Sequence, residues 1–224
     1  MSPAPKGLYR LGGASFILSG VLFLSKHLLE RVAGQPPSSG AEILAWVDAG
    51  RLPLSLANEL GFFALMALIP ALIALHRSLG DAAPVKAATA CGVMAVTLPV
   101  LAMLVILQGR LVYPVRGLPV TTPAVAELIV AVLSGGLHLA NLLFAAATFM
   151  LSLAARRSAY GAPVASLGFA TAAFDIVGAY PYAIGASVAF VCQAFFGAWF
   201  VVLGLKLYQA EAPVPLLVAA TRAA

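Results

Sequence analysis

Charge is what this sequence has least of. Only 9% of its 224 residues are Asp, Glu, Lys or Arg, where a soluble domain carries about a quarter. With 62% hydrophobic residues and a mean hydropathy of +1.01, a soluble fold of this size could not hide its apolar surface, because small domains leave much of their chain wet. Cysteine is nearly absent too. Cys91 and Cys192 lie inside apolar runs, which excludes a secreted disulfide framework and suits free, buried thiols. There is no Met-Gly start and no cysteine near either end, so no lipid anchor is indicated. P-loop, dinucleotide and Gly-x-Ser-x-Gly signatures are missing, and no cofactor is expected. The net charge of +5 comes from bases scattered at the ends of apolar runs. It forms no basic patch interleaved with aromatics, which excludes a nucleic-acid partner.

What remains is a chain whose solvent is the lipid bilayer. Backbone groups in lipid need internal partners, so spans are helices or closed barrels. The apolar runs are continuous and lack the alternation of barrel strands. The expected fold is therefore an all-α polytopic bundle of six transmembrane helices, near 8–29, 55–75, 86–107, 124–153, 164–180 and 183–207. The first run follows Lys6 and Arg10 and reads as a span rather than a cleaved signal. Residues 1–210 form one domain in this reading, and 211–224, with Pro213 and Pro215, a loosely ordered cytoplasmic tail.

Pro70 and Pro99 fall inside the second and third spans and should kink them. The Thr97 hydroxyl could serve a carbonyl that Pro99 frees. In the longest connection, Pro36-Pro37 breaks any helix, Ser39-Gly40-Ala41-Glu42 fits a capping box, and Gly50 fits a C-terminal cap. Ile43, Leu44 and Val47 make one side of a short helix apolar, and Trp46 suits headgroup depth, which predicts an interfacial helix on the outer leaflet or a lid over a cavity. Tyr180-Pro181-Tyr182 marks a tight turn between the last two spans. Orientation follows from Lys and Arg. With both ends inside, Lys6, Arg10, Arg77, Lys86, Arg156, Arg157, Lys206 and Arg222 are cytoplasmic, against Lys26, Arg31, Arg51, Arg110 and Arg116 outside. N-in and C-in is favoured.

Polar residues inside the spans are the candidate functional groups. On the fourth span Ser134, His138 and Asn141 are spaced by four and three, and the stripe extends to Glu127, Thr148 and Ser152. These share one helical face, which should turn toward the bundle interior. His138 falls near the middle of its span. The stripe reads either as interhelical hydrogen-bonding glue or as a ligand or proton site. Asp175 lies in the outer half of the fifth span, where a lone carboxylate demands a partner or a proton. Gln193 on the next helix is within reach only across a depth difference of roughly 9 Å.

A second group gathers at outer span ends: Lys26, His27, Glu30, Asn58, Glu59, Gln108, Arg110 and Glu127. His27, Glu59 and Glu127 could face one vestibule, with Asp175 nearby. Their side chains include types a divalent metal accepts, yet no metal-ligand spacing such as His-Glu-x-x-His is present, so no metal is expected and most of these charges should snorkel or pair. Small residues at Gly197, Ala198 and Gly204 suit close helix packing, either within the bundle or against a second copy in a homo-oligomer.

Arg10-Leu11-Gly12-Gly13, opening the first span, and Trp199-Phe200-Val201-Val202-Leu203-Gly204-Leu205-Lys206-Leu207-Tyr208, closing the last, resemble the bacterial membrane-protein family of domain of unknown function 4386. The resemblance implies a six-span protein of the bacterial cytoplasmic membrane and carries no catalytic residues. Binding, sensing or scaffolding in the membrane is the expected role, and the sequence leans away from an enzyme. The alternatives are a small-solute or proton-coupled transporter using Ser134, His138, Asn141 and Asp175, and an intramembrane enzyme with an outer site at His27, Glu59 and Glu127.

Overall fold

The computed structural model describes residues 6–210. The predicted tail, 211–224 with Arg222, lies outside them. Every regular element in the described residues is a helix: α1 (Lys6–Ala33), α2 (Gly40–Ala49), α3 (Arg51–Leu79), α4 (Pro84–Val112), α5 (Pro123–Ala155), α6 (Gly161–Gly178) and α7 (Ala186–Gln209). All but α2 are long and apolar enough to cross a membrane. Pro84 and Pro123 open their helices, where a missing N–H costs nothing. Pro70 and Pro99 lie inside continuous helices. Thr97 does not serve the carbonyl freed by Pro99; its hydroxyl donates to Val93 O at 2.9 Å.

The six long helices close a ring. Each packs on its sequence neighbour, α1 on α3 across the short α2, and α7 returns to α1. The closure depends on glycine. A Cβ on Gly20 would lie 2.6 Å from Gly197 O, and one on Gly204 would lie 2.7 Å from Gly13 O. Glycines a heptad apart on both helices thus let the two backbones touch. Gly197 and Gly204 are spent on this internal seam, where the Gly12-Gly13 and Gly204–Tyr208 segments meet.

A large apolar core draws on all six long helices. A smaller one holds Ile43 and Val47 of α2 against Leu54, Leu111, Val112, Ala126 and Ile129. The expected capping box is not formed, since Ser39 is the N-cap but its side chain makes no capping bond. The Gly40 N–H instead donates to Glu127 Oε1 at 2.7 Å, a carboxylate on the positive end of a helix. Trp46 Nε1 donates to Ala33 O at 2.7 Å and ties α2 to the end of α1. Gly50 closes α2 through its N–H to Trp46 O.

The connection between α6 and α7 is longer than the tight turn expected. α6 stops at Gly178, and the chain from Ala179 to Gly185 is held to the α1 end by Gln35 Nε2 to Ile184 O at 2.9 Å and, just beyond it, Arg31 Nη1 to Ser187 Oγ at 3.1 Å.

Candidate functional site: a polar layer above an aromatic floor

Aromatic rings from three helices meet inside the ring. Phe196 of α7 lies 4.7 Å from Phe144 of α5 and 5.6 Å from Phe23 of α1, with Phe200 against Phe196 at 4.3 Å. On α1, Lys26 and His27 follow Phe23 by three and four residues, so this face of the helix turns from aromatic to polar within one turn. The same change occurs three residues before Phe144 and Phe196, at Asn141 on α5 and at Gln193 on α7. A polar layer therefore sits one turn from an aromatic floor, on its α2 side.

On α1 the layer pairs with itself. Glu30 accepts from Lys26 Nζ at 2.7 Å and from His27 Nδ1 at 2.9 Å, and the three side chains are 30%, 13% and 16% exposed. The Lys26 stem passes beside Gly61 of α3, and the Phe23 ring stacks on His27 at 6.5 Å.

On α5 the polar stripe meets the end of α6. His138 Nδ1 donates to Ala179 O at 2.7 Å and Asn141 Nδ2 to Gly178 O at 2.8 Å. The Tyr180 ring stands edge-on to His138 at 5.1 Å. These donors cap carbonyls that a helix C-terminus leaves open. His138 is midway along α5, yet it is level with the C-terminal end of the shorter α6, because α5 is 33 residues long and α6 only 18. Ser134 lies half-buried one turn further out.

Asp175 differs from all of these. It is 2% exposed, three residues short of the α6 end, and its Oδ2 has no hydrogen-bond partner among the described residues. Gln193, placed by the sequence at a different depth from Asp175, lies beside Gly178, near Cys192. Inward of Asp175 the seam of α5, α6 and α7 holds more buried polar groups. Thr171 bonds back to Leu167 O at 2.9 Å and reaches Phe195 O at 3.3 Å. At Gly168 the Ser152 hydroxyl and the Trp199 indole press on the α6 backbone. Thr148 Oγ1 and Trp199 Nε1 are buried and have no hydrogen-bond partner among the described residues. Among the described residues, five of the nine buried polar side chains, Asn141, Thr148, Ser152, Thr171 and Asp175, lie on α5 and α6. Thr171, Trp199 and the role of Gly168 escaped the sequence reading. A threonine at one turn from Asp175 was the only signal available.

The outer candidates are dispersed. His27 is held by Glu30, while Glu127 caps α2. Glu59 Oε1 accepts from the Tyr113 hydroxyl at 2.9 Å, with Ser55 O at the same distance. Burial and the Glu59 carboxylate both raise the Tyr113 pKa. Among the described residues no three of His, Cys, Asp and Glu lie where they could share a metal ion. At the opposite end, Tyr160 is hydrogen-bonded to Ser78, and burial pushes its pKa up to about 12.

No family model matches the chain, and neither the curated proteins nor the solved structures include a significant match.

Proposed function

We propose that this is a multi-pass protein of the bacterial cytoplasmic membrane, of the binding or sensing type, whose functional centre is the Asp175 carboxyl between α5, α6 and α7. The observation that carries the proposal is that Asp175 Oδ2 is buried without a partner. A carboxyl oxygen buried without a partner among apolar helices is expensive. Groups retained against stability mark functional sites. His138 and Asn141 form the roof of the centre and hold the α6 end in place. The same centre would serve a proton-coupled carrier.

N-in and C-in remains the proposed orientation, on the Lys and Arg distribution. It places α2 on the outer leaflet, over the smaller apolar cluster. Membership of the domain of unknown function 4386 family is proposed on the two segments that meet in the α1–α7 seam.

A lipophilic carbodiimide, which reacts with protonated carboxylic acids from within the bilayer, tests the centre. Peptide mapping should find the adduct at Asp175 and not in Asp175→Asn. An unlabelled Asp175, together with a destabilised Asp175→Asn, would make it a structural residue and end the proposal.

A further inference from the structure

We infer a second site, at the end of the bundle away from Asp175. A cavity between the start of α1 and the end of α7 takes the phosphate of an anionic glycerophospholipid, and one acyl chain of that lipid lies along the lipid-facing side of the α1–α7 seam.

Lys6, Arg10, Tyr208, Gln209 and Ala210 line a cavity of about 240 Å³. Lys6 and Arg10 are four residues apart, so both charges fall on one side of α1. No acid lines the cavity among the described residues, and the first turn of α1 has none. Neither base is in an ion pair among the described residues. The Tyr208 hydroxyl and the Gln209 amide add neutral donors from α7. Two cations with O–H and N–H donors beside them, and no counter-charge, suit a phosphate ester.

The surroundings select a lipid over a dissolved phosphate. Both α1 and α7 are long and apolar enough to span a membrane, so the end they share lies at a bilayer surface. From the cavity an apolar groove runs along the seam. Its floor is where the two backbones touch, at Gly13, Gly20 and Gly204. Ile17 and Val201 stand at this floor: a Cβ on Gly204 would lie 2.8 Å from Ile17 N, and one on Gly20 would lie 2.9 Å from Val201 Cγ2. Arg10, Ile17 and Val21 are spaced by seven and four and share one side of α1. Val201, Leu205 and Tyr208 are spaced by four and three and share one side of α7. This side faces out, since Val21 and Leu205 are 48% and 46% exposed, while Phe16 and Leu207 are fully buried. Arg10 to Val21 spans about 16 Å at helical rise, close to half of a roughly 30 Å hydrocarbon core. A phospholipid fills the cavity and the groove together, whereas a free phosphate uses only the cavity. In the proposed orientation this is the inner leaflet, whose anionic lipids attract basic residues.

The experiment uses the full chain in detergent with equal amounts of phosphatidylglycerol and phosphatidylcholine, and reads the retained lipid by native mass spectrometry. Wild type should keep phosphatidylglycerol in preference. Lys6→Gln/Arg10→Gln should weaken that binding about thirtyfold, the combined effect of two bases at a lipid surface. Both side chains are exposed, so the unfolding midpoint should not move. Lys206→Gln removes a base from the same end of α7 but outside the cavity, and should leave retention unchanged. Inorganic phosphate at matched concentration should not displace the lipid. Displacement by it would assign the cavity to a free phosphate and overturn the lipid reading. Equal retention of the two lipids, as Glu211 of this chain filling the cavity would give, overturns the site. So does an equal loss in Lys206→Gln, which would make the effect one of general surface charge.

Discussion

Glu30 and Asp175 are two carboxyls in the α2 half of one bundle, and their surroundings are opposite. Glu30 is clasped by Lys26 and His27 from its own helix. Asp175 sits in a tighter place, with an oxygen that no described residue meets. Spacing explains the first. Residues three and four apart on a helix face are neighbours, so α1 satisfies its charges locally. The second would need help from α5 or α7, and the donors that arrive there bond the α6 carbonyls instead. A paired carboxylate contributes to structure, whereas an unpaired buried one costs stability.

Breaking the paired side should cost most. Glu30→Gln leaves the Lys26 ammonium without its counter-charge and should lower stability by about 2 kcal/mol, less than a fully buried pair loses because the site is partly open. Thermal unfolding in detergent measures it, and an unchanged midpoint would show the triad to be idle. Asn141→Leu should cost about 1.5 kcal/mol, since it strands the Gly178 carbonyl. His138→Leu, at a half-buried position, should cost about 1 kcal/mol by the same assay. A His138→Leu variant as stable as wild type would move the histidine from roof to functional group.

The comparison is sharpest at Asp175→Asn, where we expect stability unchanged or raised by up to about 1 kcal/mol. A loss as large as that of Glu30→Gln would place both carboxyls in the same structural class. The smallest effect is expected at the opposite end. Tyr160 in the folded chain holds its proton to about pH 12, against about 10 in an unfolded chain. Its contribution is complete below about pH 10 and is lost as pH rises from there toward 12. Tyr160→Phe should flatten this alkaline decline. An identical decline in the variant would assign it to other groups.

The bilayer as solvent, the helices and the polar stripe were all legible in the sequence, because each depends on composition or on spacing along one segment. Pro36-Pro37 and Ser39 located α2 for the same reason. The sequence missed what depends on the neighbouring helix. Ser39 had the residue type for a cap, but Glu127 arrives from a distant helix and takes the position. His138 is central in α5 by counting, yet it stands at the C-terminal end of the much shorter α6. Glu59 and Glu127 share an end of the bundle without sharing a site.

The residues alone determined that this chain lives in lipid, that it crosses as helices, and that a few polar groups must point inward, because hydrophobicity and periodicity are local properties. Tertiary structure alone decided which of those groups find partners. Pairing is a property of facing surfaces, and only when α5, α6 and α7 close on one another does Asp175 emerge as the carboxyl left over.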